Sequence, residues 1–480
     1  MNHAMVRYLI GLMLRVEGCI LLVPVLTAAL YRETVAYAYL AAALLCLAIS
    51  LFFRKKPENT RFYAREGFVT VSLCWIVLAL IGALPFWLSG EIPFYIDALF
   101  ETISGFTTTG ATILSDVEAL SHASLLWRSL THWVGGMGVL VFMLAVLPLA
   151  GGQTIHLMRA ESPGPSVTKL APHLKDTAFF LYAIYFGMTL IEILLLIAGG
   201  MSLFDAVNAA LATAGTGGFG IWNSSMAYYD SFYLQAVVTV FMILFGVNFS
   251  VYFLILTRRW RQAFQIEELR LYLGVIAVSA VVIACDVRGA FGSFFESLHH
   301  AMFQVASIIT TTGFATVDFN QWPALSKCIL VLLMFIGACA GSTGGGMKCS
   351  RILLMCKSIK KEMQYLIHPR SVRVNKMDGR RVPHEVVRSV NVFLIAYLML
   401  FILSVLALCV FEQDLVTNFT AVAATLNNVG PGLELVGPAS NFGFFSPLCK
   451  LVLMFDMLAG RLEVFPMLLL FAPGTWRRTR

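Results

Sequence analysis

Four short apolar segments, each closing on a glycine and each lying between two longer apolar segments, limit what this chain can become. ALFETISGFTTTG (98–110), AVNAALATAGTGG (206–218), AMFQVASIITTTG (301–313) and NFTAVAATLNNVG (418–430) have equal length. They end at Gly110, Gly218, Gly313 and Gly430, spaced 108, 95 and 117 residues apart. The apolar stretches that carry them, 95–109, 203–214, 296–310 and 417–427, fall short of the about 20 residues a helix needs to cross hydrocarbon. Around them run ten stretches of crossing length: 8–30, 34–53, 68–89, 125–150, 177–200, 231–257, 271–287, 324–355, 389–411 and 446–472. The pattern helix, short helix, glycine turn, helix is therefore written four times behind an N-terminal helix pair. The expected fold is an all-α membrane protein with ten transmembrane helices, its four helix–pore-loop–helix repeats arranged pseudo-four-fold around one pore. The matching segments are 1–67 (helix pair and basic loop), 68–150, 177–257 and 271–356 (repeats one to three), 357–388 (basic loop) and 389–472 (repeat four).

Composition supports a membrane location. Of the 480 residues 59% are hydrophobic and 13% charged, whereas soluble chains carry about 25% charge. Too few polar residues remain to cover a water-facing surface, which excludes a soluble enzyme, a disordered chain and a nucleic-acid binder. The ten cysteines form no C-x-x-C pair and mostly lie in apolar runs, where a free thiol behaves as a small hydrophobe. Of the 34 Lys and Arg, 28 fall on one side of the expected crossings. By the positive-inside rule that side is cytoplasmic. Both termini are then cytoplasmic and the four short segments face outward.

The glycine turns carry the chemistry. Irregular backbone at membrane depth survives only where it is buried or lines a watery cavity. A half-length helix followed by Thr-Thr-Thr-Gly gives a descent and an extended return whose carbonyls can replace the hydration shell of a cation. Uncharged oxygens suit a weakly hydrated monovalent ion, whereas Ca²⁺ and Mg²⁺ sites usually carry carboxylates. Four copies give a four-fold filter folded from one polypeptide.

On TTTGAT (107–112), TAGTGGFG (213–220), TTTGFATVDFNQWP (310–323), AATLNNVGPGLE (423–434), GACAGSTGGGMK (337–348) and LAGRLEVFP (458–466), the chain resembles the membrane subunits of the bacterial Trk potassium uptake system, within the Trk/Ktr/HKT superfamily of K⁺ transporters. The resemblance covers nearly all of the chain. It implies a K⁺ selectivity filter at Thr108, Thr109, Gly110, Thr216, Gly217, Gly218, Thr311, Thr312, Gly313, Asn428, Val429 and Gly430, with K⁺ held by backbone carbonyls. It also implies a bacterial inner-membrane location, a homodimer, and a cytosolic nucleotide-binding regulatory subunit as partner. Lipid is the other partner; no nucleic acid and no bound cofactor are expected, and K⁺ is the transported ion.

Below the filter two features interrupt the apolar pattern. Gly341, Ser342, Thr343, Gly344, Gly345 and Gly346 break the eighth crossing, because glycine costs about 1 kcal/mol per residue relative to alanine in a helix. Such backbone cannot face lipid and should line the pore or its wall; the resemblance places an intramembrane gate there, followed by Lys348. Arg461 lies within the last apolar stretch, where a charge costs about 2.5–3.5 kcal/mol. It is expected mid-helix, facing the cavity beneath the filter and bonded to the loop, or else paired with Asp456 or Glu463 or snorkelling to the inner surface.

GSTGGGMK is no phosphate-binding loop, since Met347 precedes Lys348 and Cys349 follows it. His299 and His300 lack a third ligand at metal spacing, Glu192 and Asn248 could pair between helices or line the pore, and GGMG (135–138) reads as close helix packing. Two function classes remain: a gated, channel-like K⁺ uptake subunit, and an H⁺- or Na⁺-coupled symporter with alternating access. No nucleophile–base pair supports an enzyme.

Overall fold

A computed structural model describes residues 2–55, 57, 64–146, 174–370, 373–411 and 413–476. The basic stretches at 54–67 and 151–176, the end of the crossing at 125–150, residues 371–372 of the basic loop, Glu412 and the terminal arginines lie wholly or partly outside the described residues.

The described residues are mostly helical. The N-terminal pair is α1 (His3–Tyr31) and α2 (Ala36–Phe52). The first repeat holds α3 (Ala64–Gly82), α4 (Leu84–Leu88), α5 (Tyr95–Phe106) and α6 (His122–Val146). The second holds α7 (Leu174–Ala198), α8 (Leu203–Gly215), α9 (Phe232–Phe245) and α10 (Phe249–Leu256), followed by a short α11 (Trp260–Gln265). Then come α12 (Glu267–Asp286), α13 (Phe294–Ile309), α14 (Ala324–Ile336) and α15 (Cys349–Ile367). The last repeat has α16 (His384–Cys409), α17 (Leu415–Leu426), α18 (Pro447–Arg461), α19 (Phe465–Phe471) and α20 (Pro473–Trp476). Five described helices are long and apolar enough to cross a membrane: His3–Tyr31, Arg65–Leu88, Phe179–Ala198, Glu267–Asp286 and His384–Cys409.

Three expected crossings are broken, and only one break was legible. The stretch 324–355 divides into α14 and α15 around the glycine-rich loop, as expected. The stretch 231–257 instead bends by 93° between α9 and α10. There the Asn248 side chain accepts the Ser250 N–H and starts a new helix, a role asparagine fills well. The stretch 446–472 also divides, so Arg461 is not mid-helix: it is the last residue of α18. Glu463 and Val464 reverse the backbone at φ 61° and 65°, and Pro466 sits in the first turn of α19, where its missing N–H costs nothing.

Burial follows the membrane solvent. The short helices are well enclosed: Phe100–Phe106 of α5 and Thr420–Leu426 of α17 are buried without a gap. The long helices expose apolar side chains such as Leu190 and Leu194 of α7 and Ile402 and Leu406 of α16. Lipid is as apolar as leucine, so nothing drives those residues inward. Among the described residues the only strands form a hairpin, β1 (Lys376–Met377) against antiparallel β2 (Arg380–Arg381). Its Asp378-Gly379 turn, with φ 50° and 75°, is the two-residue type that Asp-Gly favours.

Candidate functional site

The four short helices are built to one plan. Ser202, Ser293 and Asp414 cap three of them by accepting the N–H of Asp205, Glu296 and Thr417, satisfying donors the first helical turn leaves free. All four end alike. The N–H groups of Thr109, Gly217, Thr312 and Val429 donate to the carbonyls of Ser104, Ala212, Ser307 and Ala424 at 2.8–2.9 Å. Those of Thr108, Thr216, Thr311 and Asn428 donate to Gly105, Thr213, Ile308 and Thr425 at 2.9–3.2 Å. This paired pattern is a Schellman ending, which needs a left-handed residue. Thr108, Thr216, Thr311 and Asn428 supply it at φ 54°, 54°, 60° and 56°. Glycine is the usual choice, and a β-branched residue there is an outlier costing of order 1–3 kcal/mol. Three threonines held in one strained conformation mark the loops as related units under a shared constraint.

The loops also meet as a ring. A Cβ placed on Gly110 would lie 1.9 Å from Gly217 O, on Gly218 1.8 Å from Thr312 O, on Gly313 2.3 Å from Val429 O, and on Gly430 2.7 Å from Thr109 O. Each glycine abuts the carbonyl that precedes the next loop's glycine, in the order one, two, three, four and back to one. No side chain fits at any of the four positions, and repeats one and three stand diagonally across the ring. Asn428 ties the last seam, its amide donating to Thr109 Oγ1 and to Met457 O at 2.9 Å each. All four glycines line one side of a cavity of about 150 Å³.

Side-chain oxygens are distributed unequally. Thr108 Oγ1 and Asn428 Oδ1 are buried with no hydrogen-bond partner among the described residues. Thr216 Oγ1 donates to Gly215 O at 2.6 Å. Thr311 Oγ1 accepts the N–H of Gly345 at 2.6 Å.

That last bond joins the ring to the glycine-rich loop. Gly345 also packs on Asn427 O and Gly344 on Thr310 O, at distances that leave no room for a Cβ. The break between α9 and α10 docks the loop through backbone bonds: Cys339 N–H to Gly246 O and Phe249 N–H to Gly341 O, both 3.0 Å. Glu268 of α12 holds both its flanks, accepting Ala340 N–H at 2.6 Å and Ser350 N–H at 3.0 Å. Lys348, itself buried, donates to Gly344 O.

Arg461 donates to Thr343 O at 2.8 Å and to Gly135 O at 2.6 Å. Gly135 lies against the carbonyl of Phe106, at the end of the first short helix, while the loop residue after Thr343 lies against Thr310, in the third. The guanidinium thus links the surroundings of the first and third short helices, which belong to diagonal repeats. Of its two expected alternative partners, Asp456 accepts from Ser404 and Glu463 pairs with Arg351.

The structure brings the four glycines and the carbonyls before them into one ring, with Gly344 and Gly345 packed on loops three and four and with Lys348 and Arg461 bonded to the glycine-rich loop. GGMG is a packing element: a Cβ on Gly135 or Gly136 would strike Phe106 O or the Gly215 backbone. His299 and His300 bond to Gln235 and Thr316, and no cluster able to hold a metal occurs among the described residues. Sequence reasoning missed the α9–α10 break, Glu268, and a buried group behind loops one and two formed by Glu101, Arg128 and His132. A glutamate at position 268, at the start of a long apolar helix, was the available signal.

The cation transport protein family TrkH has a model that matches residues 35–287 and 290–477. The chain is 38% identical over 490 residues to the Trk system potassium uptake protein TrkH of Escherichia coli, spanning 99% of this chain and all of that one. It is 35% identical to TrkH of Halomonas elongata, with both chains covered in full. The crystal structure of the potassium transporter TrkH from Vibrio parahaemolyticus is similar with a TM-score of 0.89 at 33% identity, over 99% of this chain and 100% of that chain.

Proposed function

We infer that this chain, which belongs to the TrkH family of cation transport proteins, is the membrane subunit of a Trk potassium uptake system and passes K⁺ through the ring closed by Gly110, Gly218, Gly313 and Gly430. The observation that carries this reading is the cyclic contact of each glycine with the next loop's carbonyl. Contact that tight fixes the spacing of four uncharged carbonyls, and a fixed set of oxygens can replace the hydration shell of a weakly hydrated monovalent cation. Thr108, Thr109, Thr216, Gly217, Thr311, Thr312, Asn428 and Val429 complete the filter with backbone and side-chain oxygens. Ions then move down their electrochemical gradient, an inside-negative potential contributing about 2.3 kcal/mol per charge per 100 mV.

The gate in this reading is residues 341–346 with Lys348 and Arg461. Their hydrogen bonds to the filter loops and to one another support a closed state with a positive charge and a polypeptide plug in the ion path. Displacing the loop releases Thr311 Oγ1 and withdraws both. The positive-inside distribution supports cytoplasmic termini in a bacterial inner membrane. The basic cytoplasmic segment 357–388 then lies where another Trk component, a nucleotide-binding regulatory subunit, reaches α15 and through it the loop. The chain acts as a homodimer in this reading.

Gly313→Ser tests the filter. The added Cβ would sit 2.3 Å from Val429 O, so the seam between loops three and four must open. In liposomes containing the purified protein, Rb⁺ uptake that Na⁺ barely inhibits in the wild type should become inhibited by Na⁺ in the variant. Unchanged competition would remove the ring from the transport path.

A further inference from the structure

We propose that Glu101, Arg128 and His132 form a charged brace that positions filter loops one and two and sets how strongly the ring discriminates K⁺ from Na⁺. The proposal rests on the ring being the selectivity filter. None of the three residues touches the ion; each is a positioning residue.

Glu101 belongs to α5 and Arg128 and His132 to one face of α6, one turn apart, and all three are at most 2% exposed. Arg128 Nε donates to Glu101 Oε1 at 2.8 Å, and a second guanidinium nitrogen donates to Gly220 O at 2.9 Å. The guanidinium also lies 4.0 Å from the centre of the Phe219 ring. Glu101 accepts the Ile113 N–H at 3.1 Å and the Thr112 hydroxyl at 3.0 Å. His132 Nδ1 lies 2.8 Å from Gly105 O, and its Nε2 accepts the Phe219 N–H at 3.2 Å, which fixes a neutral ring donating at one nitrogen and accepting at the other. Thr112 and Ile113 leave the filter just after Gly110, and Phe219 and Gly220 just after Gly218. One buried ion pair therefore holds the exits of two adjacent filter loops to the same two helices.

Stability alone is a poor reason for such a pair, because well-packed apolar residues often do as well in its place. Its geometry gives a better one. Nine residues before the filter glycine the four repeats read Glu101, Ala209, Gln304 and Ala421. The diagonal Gln304 reaches Thr316 Oγ1 and Val317 O at only 3.5 and 3.4 Å. The exits of loops one and two are thus held by charge-assisted bonds, and that of loop three by neutral ones alone: Ser307 Oγ to Phe314 O at 2.6 Å, His300 to Thr316 at 3.0 Å, and the longer pair from Gln304. Charge-assisted hydrogen bonds are about twice as strong as neutral ones. They keep the carbonyls at the seam of loops one and two from closing around a smaller ion, so loss of the brace makes the cage compliant and lets Na⁺ through.

The test uses the full-length protein in liposomes and reads the K⁺/Na⁺ permeability ratio, with thermal stability in detergent measured alongside. Arg128→Gln should lower the ratio at least tenfold, since it leaves a buried carboxylate unpaired and frees Gly220. Glu101→Gln, which installs the residue this chain uses on the diagonal, should lower it severalfold. The double variant should recover part of the loss seen in Arg128→Gln, because no unpaired charge remains. If Arg128→Gln does not fold, Arg128→Lys keeps the charge but cannot span Glu101 and Gly220 together, and should still lower the ratio. Gly313→Ser serves as the control. Ratios within twofold of wild type in the brace variants, while the control loses selectivity, would overturn the brace and leave the filter standing. A control that also keeps its ratio would overturn the filter itself and the brace with it.

Discussion

Arg461→Ala offers the sharpest test of the gate. In the structure the guanidinium donates to Thr343 O on the loop and to Gly135 O on α6, at 2.8 and 2.6 Å. Moving the loop aside breaks the first of these bonds. A hydrogen bond to a charged group contributes about 1.5–3 kcal/mol, so its loss shifts the balance towards the open loop by about 10- to 150-fold at 1.4 kcal/mol per factor of ten. The charge adds a second effect. At about 5 Å and an effective dielectric of about 20, a unit cation opposes K⁺ by about 3 kcal/mol. Basal Rb⁺ flux through the purified protein in liposomes, without any regulatory partner, should therefore rise at least tenfold in Arg461→Ala. Arg461→Gln separates the two contributions, since its neutral amide can still donate to one carbonyl and should leak less than alanine. Basal flux within twofold of wild type in Arg461→Ala, at equal protein incorporation, would exclude Arg461 from the gate.

Other expectations concern the supports of the site. Glu268→Ala strands the N–H groups of Ala340 and Ser350, at about 1–3 kcal/mol for each unpaired buried donor; basal flux should rise and the melting temperature fall, and Glu268→Gln, which keeps an acceptor oxygen, should lie between. Asp414 caps α17, and backbone amides of Thr417 and its neighbours hold its carboxyl below the ordinary aspartate range. A carboxyl whose pKa is lower folded than unfolded stabilises fully above about pH 4 and loses that contribution as pH falls through the folded value. Asp414→Ala should accordingly lower the melting temperature at pH 7 and make less difference near pH 2, whereas Asp414→Asn retains a cap at both.

What the sequence discloses depends on whether a feature repeats. Gly110, Gly218, Gly313 and Gly430 stand out because the same thirteen-residue pattern recurs, and the structure brings them into one ring. The glycine run at 341–346 is legible for a related reason: no apolar helix tolerates it. The bend at Gly246–Asn248 is hidden because the surrounding residues are apolar enough to read as one crossing, and the capping role of Asn248 appears only once the helix has stopped. Arg461 reads as mid-helix for the same reason, its helix ending inside an unbroken apolar run. The left-handed threonines have no local signal, since threonine is a poor choice for that conformation and only the assembled ring enforces it. Glu101 and Arg128 are 27 residues apart and look like residues of an outer face. Their partnership exists only after α5 folds back against α6.

The central claim, that K⁺ passes down its gradient through a four-loop ring, is tested most directly by the reversal potential of current through the purified protein with the gate relieved by Arg461→Ala. The potential should follow the K⁺ gradient at about 59 mV per tenfold change and ignore pH and Na⁺ at fixed K⁺. A potential that moves with pH or Na⁺ while K⁺ is held constant would contradict the claim and point to a coupled symporter.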